Sequence, residues 1–216
     1  MKAFSKMLAF VALASLIAGC KNDSQDPYST NKISSSTTQR GNYTVHHEHS
    51  QLSWTLTPAQ QGNANASGLA SAAGEGLDVK NGQLLGGTVV FKLDSMQLLS
   101  APGDIGKDKA PGGIRGKAFF NTDRYPAAKL EIASVEALSN DPSGATHMVS
   151  ANLELRGKNR GVQFPARVIV NEEHVALMAL PFKIDLTQWG MKLGKNGWDN
   201  QAEINLRIRG DAKNNK

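Results

Sequence analysis

An all-β domain of about eight antiparallel strands, closed into a barrel and carrying one short helix, is what this sequence predicts. Three observations lead there. Hydrophobicity repeats with period two along most of the chain, turn-forming clusters separate the repeats, and no long segment carries the 3.6-residue period of an amphipathic helix.

The strands can be taken in order. In "TVVFKLD", Val89, Phe91 and Leu93 share a face opposite Thr88, Lys92 and Asp94. In "MVSANLELR", Val149, Ala151, Leu153 and Leu155 oppose Ser150, Asn152, Glu154 and Arg156. Val162, Phe164, Ala166, Val168 and Val170 line one side of the next run, and Ile204, Leu206 and Ile208 oppose Glu203, Asn205, Arg207 and Arg209 in the last. Lys80-Asn81-Gly82, Ser139-Asn140-Asp141-Pro142 and Asn171-Glu172-Glu173 supply turns between them. One dry face and one wet face per strand is the layout of antiparallel hairpins. Closure into a barrel hides the edges such a sheet would otherwise expose. The short helix fits between Gly112 and Asn121, leading into the pair Phe119-Phe120. Pro126 cannot donate to a ladder, so Tyr125-Pro126 marks where the following strand starts. The stretch "GNANASGLASAAGEGLDV", Gly62 to Val79, carries mostly Ala, Gly and Ser. Either small residues point inward and leave volume, or the segment is a glycine-rich bend or bulged edge strand.

The chain is divided unevenly. Residues 1–19 hold Lys2 and Lys6 and an apolar run from Met7 to Ala18, too short to span a bilayer and laid out as a secretory signal. It ends in "LIAGC", the arrangement processed in bacterial lipoproteins, which makes Cys20 an acylated first residue; an ordinary signal followed by a chance cysteine is the alternative. Cys20 is the only cysteine, so disulfides within the chain are excluded. Residues 20–41 then form an acylated cysteine and a disordered Ser/Thr/Asn-rich tether, residues 42–210 one domain, and residues 211–216 a flexible tail. Lys21, in place of Asp after the cysteine, favours the outer membrane among lipid-anchored, periplasm-facing sites. Loss of residues 1–19 leaves 22 basic against 19 acidic residues, a net +3 compared with +5 for the whole chain. No basic block is interleaved with aromatics, so nucleic acid is not an expected partner.

Chemistry-bearing motifs are few. "HHEHS", His46 to Ser50, is the one metal-like cluster. On a strand His47 and His49 would share a face, with His147 or His174 as a distant third ligand. No serine sits on a nucleophile elbow, and neither "GKNGW" nor "GEGLDV" cradles phosphate between strand and helix. Asp185 reads as a hydrogen-bonding residue at a strand end, Trp189 as an aromatic closing one end of the barrel, and Trp198 as a loop residue beyond it.

Several stretches together resemble the YceI-like domain, a bacterial family of exported lipid-binding proteins. "YTVHHEHSQLSWTL" matches the family's opening through Tyr43, Val45, His49 and Ser50, and "KNGQLLGGTVVFKLDSM" is similar to its next strand segment. "AFFNTDRYPAAKLEIASV" resembles the Phe-Phe-Asp…Tyr-Pro signature, "ANLELRGKNRGVQFPARV" a paired-strand segment, and "FKIDLTQWGMKLG" the Ile-Asp-Arg-x-x-Trp/Phe-Gly segment. The resemblance covers nearly all of residues 42–209. The sequence departs from the family at His46, at "GGIRG" (Gly112 to Gly116) and at Leu186, where the family carries other polar or charged groups.

What the resemblance implies is a lipocalin-like barrel with an elongated apolar cavity for a polyisoprenoid or similar amphiphile, and no enzyme activity. The one-sided apolar rows supply the expected lining: Trp54, Phe91, Leu93, Phe119, Phe120, Leu130, Ile132, Leu153, Leu155, Phe182, Ile184 and Trp189. No cofactor is expected beyond a bound polyisoprenoid or quinone-like lipid, and no metal. The expected partners are that apolar ligand and the membrane through Cys20, with a homodimer left open. A ligand-free structural or stress-related envelope barrel, and a zinc protein using His46 to His49, are the alternatives.

Overall fold

The computed structural model describes residues 32–33 and 42–213. The signal segment, Cys20, most of the tether and residues 214–216 lie outside the described residues. Eleven strands form one antiparallel sheet. In chain order they are β1 (Tyr43–Val45), β2 (Gln51–Pro58), β3 (Ala66–Lys80), β4 (Gln83–Lys92), β5 (Gln97–Ser100), β6 (Ala127–Ala137), β7 (His147–Leu155), β8 (Lys158–Val170), β9 (His174–Ala179), β10 (Phe182–Asp185) and β11 (Trp198–Ala212).

Eight of them close a ring, β11-β2-β3-β4-β6-β7-β8-β9 and back to β11. The three short strands complete interrupted staves. β1 continues the line of β2 and pairs with both β11 and β3, β5 continues β4 along β3, and β10 continues β9 along β11. β11 runs through Ala212, which pairs with Tyr43, so the wall continues two residues beyond the expected 210 boundary.

Period two decides the interior. Val89, Phe91, Leu93, Val149, Ala151, Leu153, Leu155, Val162, Phe164, Ala166, Ile204, Leu206 and Ile208 are all buried, while Val168 and Val170 are half-buried at the end of β8. The outer face of β7 is not uniformly wet. Ser150 and Asn152 are buried there, because the Asn152 amide accepts from Ile33 N at 2.7 Å and donates to Ile33 O at 2.9 Å, while Ser150 accepts from Gln163. A side-chain amide pairs with a backbone as a strand would, so Ile33 is clipped to the wall.

The small residues of β3 do point inward, at Ala66, Gly68, Ala70 and Ala72, and the strand is bulged between Ala72 and Gly74. It is nevertheless a central strand, and its smallness makes room for a neighbour. A Cβ on Gly68 would lie 2.7 Å from the Trp54 ring. The volume freed by glycine is filled by indole.

No α-helix occurs among the described residues; four 3₁₀ turns occur instead, at His47–His49, Gly103–Lys107, Leu186–Trp189 and Leu193–Asn196. The helical segment between β5 and β6 is therefore Gly103–Lys107, and residues 112–121 form successive turns. Pro111 and three glycines oppose a helix there. Gly113 and Gly116 also pass so near backbone that an added Cβ would sit 2.1 Å from Asp108 O and 1.9 Å from Ala110 O.

Candidate functional site

The connection from β5 to β6, residues 101–126, folds over one mouth of the barrel. Its side chains Ile105, Ile114, Phe119 and Phe120 are buried. It is knitted to itself: Ile114 N donates to Ile105 O at 3.0 Å, Phe120 N to Ile114 O at 3.1 Å, Asn121 N to Gly116 O at 2.9 Å and Thr122 N to Arg115 O at 3.0 Å. Asn121 adopts φ 51°, a left-handed conformation that Asn tolerates better than most residues, and this turns the chain after the Phe pair. The segment acts as a plug. At its far end Pro126 O accepts from Leu93 N and Asp94 N, holding the start of β6 against the end of β4.

Directly beneath the plug lies an apolar void of about 30 Å³ with no polar surface, lined by Leu52, Trp54, Leu93, Phe120, Leu153 and Ile184 among others. Phe120 meets Trp54 edge-on, with ring centroids 6.0 Å apart. The barrel was expected to be hollow along its length; here its own side chains fill it. An engineered apolar cavity that admits benzene measures about 150 Å³, so the void holds no lipid chain in this arrangement. The physical cause is the plug together with the large inward rings, which occupy the space that β3 leaves.

Of the twelve residues expected to line a cavity, Trp54, Leu93, Phe120, Leu153, Leu155 and Ile184 border the void. Phe91, Phe119, Leu130, Ile132 and Trp189 are buried in the core away from it, and Trp189 Nε1 donates to Leu153 O at 3.1 Å. Phe182 is only half-buried, its ring stacked on Phe164 at 4.7 Å. Leu52, Leu56, Ala128, Leu186, Ala202 and Ile204 also line the void. Alternation about Trp54 and along β11 carries the signal for Leu52, Leu56, Ala202 and Ile204. Leu186 had none, since it lies in a 3₁₀ turn. That turn is capped by Asp185, whose Oδ1 accepts from Thr187 N at 2.9 Å and from its hydroxyl at 2.7 Å. The Trp54 indole N–H is buried with no partner among the described residues, at a cost of about 1–3 kcal/mol for such a donor.

The histidine cluster departs from strand geometry. His47–His49 is a 3₁₀ turn, so its rings do not alternate; His46 stacks on His47 at 5.7 Å and lies 4.4 Å from His49. His147 bonds Thr146 and His174 bonds Asn171. Among the described residues no three His, Cys, Asp or Glu side chains converge as a metal's ligand set would. Ser50 is the structural member of the motif. Its buried hydroxyl accepts from Arg209 N at 2.9 Å and donates to Arg209 O at 3.1 Å, bridging the break between β1 and β2. Trp198 is the first residue of β11 and borders an open surface cleft with Pro58 and Ile105.

Several solved structures share this fold, two of them as follows. Burkholderia cenocepacia BcnA superposes with a TM-score of 0.57 at 17% identity, over 76% of this chain and 98% of that one. A polyisoprenoid binding domain from Saccharophagus degradans, implicated in plant cell wall breakdown, gives a TM-score of 0.55 at 13% identity, over 81% of this chain and all of that one (100%). No curated protein matches the chain. The sequence model of the YceI-like domain matches residues 43–212, the whole of the barrel from β1 to β11. The chain therefore belongs to the YceI-like domain family.

Proposed function

We propose that the protein binds a long apolar chain, of the polyisoprenoid kind, inside the barrel, and that the plug moves aside to admit it. The observation that carries this reading is the void: wholly apolar, and seated beneath the irregular segment of the wall. Family membership and the ligand class in the name of the Saccharophagus domain support it.

Magnitudes narrow the guest. Ten buried methylenes contribute about 8 kcal/mol. Exposing two phenylalanines of the plug costs about 3–6 kcal/mol, and association costs about 4–15 kcal/mol. A ten-carbon chain therefore breaks even at best. The guest has to be considerably longer, which fits a polyprenyl tail and not a short fatty acid.

Native mass spectrometry of gently purified protein tests the reading. A co-purifying lipid supports it. A bare mass that stays bare after incubation with polyprenol leaves the second reading, a structural barrel filled by its own side chains, which the smallness of the void favours. The proposal extends to location: a lipid-anchored, periplasm-facing envelope protein of the outer membrane, on the strength of Lys2, Lys6, the short apolar run and "LIAGC". Incorporation of labelled palmitate that disappears in Cys20→Ser is the expected result, and retained labelling would overturn the anchor.

A further inference from the structure

Beside the plugged mouth lies an open cleft of about 660 Å³ whose walls include Lys109, Arg115, Lys117, Arg124 and Arg156, with Asp123 the one acid. Two of the cations are already matched. Lys109 Nζ lies 2.8 Å from Asp123 Oδ1, and Arg115 is paired with Asp108 and donates to Met96 O. The other three have no carboxylate partner among the described residues. Lys117 is exposed, Arg124 rests over the Tyr125 ring at 5.3 Å, and Arg156 donates only to the carbonyls of Gly190 and Lys117, each at 3.3 Å. Lys158 adds a further charge nearby, since its Nζ would lie 3.0 Å from a Cβ on Gly190.

Arg156 is placed there against its backbone preference. It is the first of two residues, Arg156-Gly157, that turn β7 into β8, with φ 52° and 69°. The opposite mouth has the same kind of turn between β3 and β4, made by Asn81-Gly82 with φ 53° and 73°. Asn-Gly is the pair this turn favours. A long unbranched cation has no such preference, and positive φ is uncommon outside Gly, Asn and Asp. Burial also lowers the Arg156 pKa from the usual guanidinium range, with Tyr125 acting in the opposite sense. A partly desolvated cation in a costly conformation with only carbonyl acceptors leaves donors unspent.

The cleft and the void are one residue apart along two segments. Leu155 and Phe120 border the void, and Arg156 and Asn121 border the cleft. An apolar void that abuts cations without carboxylate partners matches the two ends of an amphiphile with an anionic head. We infer that this cleft binds the phosphate or diphosphate head of the lipid whose chain enters the barrel, with Arg156 and Lys117 as its principal ligands and Arg124 beside them. The inference rests on the barrel reading above and names the head group that reading leaves open.

The test compares farnesyl diphosphate, farnesol and inorganic pyrophosphate, titrated by calorimetry into the intact chain, Arg156→Asn and Lys117→Gln. Arg156→Asn installs the residue the turn favours, so it should keep or raise the melting temperature. Lys117→Gln alters an exposed side chain and leaves the fold intact. The expected result is at least tenfold tighter binding of farnesyl diphosphate than of farnesol, most of that preference lost in each variant, and farnesol affinity unchanged throughout. Equal binding of the two prenyl ligands by the unaltered protein, or a preference that survives both substitutions, overturns the head-group assignment while farnesol binding keeps the barrel reading. Pyrophosphate bound as tightly as farnesyl diphosphate, with farnesol unbound, identifies a free anion as the occupant and overturns the lipid-head assignment. Failure of all three to bind overturns that assignment as well, and the incubation with longer polyprenol described above tests the barrel reading separately.

Discussion

At one mouth of the barrel two connections are short, β3 to β4 through Asn81-Gly82 and β8 to β9 through Asn171–Glu173, whose first side chain accepts from Glu173 N and His174 N, and residues 138–146 join β6 to β7. At the other, the crossing from β5 to β6 takes residues 101–126 and folds them inward as a plug. The first mouth sits over a core of Leu77, Val149, Phe164, Val175, Leu177 and Ile208, each fully buried. The second sits over the void and beside the cations. The difference teaches that packing is densest away from the long crossing and loosest beside it, since the two-residue turn Arg156-Gly157 also lies at the plugged mouth and leaves the void unfilled. Tight turns leave no backbone group to satisfy elsewhere, whereas a long crossing must bond to itself and is drawn from the less stable part of a fold.

The largest effect should come from breaking the filled half. Phe164→Ala removes a fully buried ring stacked on Phe182 and should cost about 3–5 kcal/mol in urea unfolding. Phe120→Ala lies on a self-bonded plug that can settle into the space and should fall at the low end of that range, about 3 kcal/mol. Equal losses would erase the distinction between the halves. Next comes Gly116→Ala, whose methyl would collide with Ala110 O. It should release the plug while sparing the wall, seen as at least tenfold faster protease cleavage within residues 101–126 with the β-sheet circular dichroism retained. Cleavage spread over the whole chain would mean that plug and wall unfold together.

Smaller changes sharpen the picture along the wall. Ser50→Ala strips two backbone groups of Arg209 of their partner and should cost about 1–2 kcal/mol, read as a lower denaturation midpoint. An unchanged midpoint would mean that β1 contributes nothing to closure. The smallest effect belongs to Asp78, at the hairpin mouth. Burial raises its carboxyl pKa and Lys213 works against that shift. A folded pKa above the unfolded one gives a stabilising contribution that is present at low pH and lost as pH rises through the raised value. Asp78→Asn should therefore melt higher than the wild type near pH 7, by less than about 1 kcal/mol, and lose that advantage near pH 3. An advantage of the same size at both would assign the effect to packing and not to charge.

Much of this was legible in the residues. Alternation named the inward faces of β4, β7, β8 and β11, and Pro126 placed the start of β6, because each of those signals is local. The filling of the barrel was not. Gly68 reads as missing bulk, and only the neighbouring strand shows that Trp54 occupies the gap. Residues 112–121 looked helical in length, yet Gly113 and Gly116 serve close backbone approaches that no periodicity records. "HHEHS" was read with strand parity and folds as a 3₁₀ turn, which changes which rings meet. Nor did spacing announce the cleft, since Lys117 and Arg124 lie on the plug and Arg156 on the turn from β7 to β8, and they gather only when that hairpin reaches the plug.

The ring that closes between β9 and β11 has one more implication. A wall hydrogen-bonded all the way round offers no lateral slit, and one mouth is sealed by hairpins. On the proposed reading a guest arrives end-on past the plug, so loading would have a single door and a speed limit: the observed association rate should level off at high ligand concentration, at the rate at which residues 101–126 swing clear.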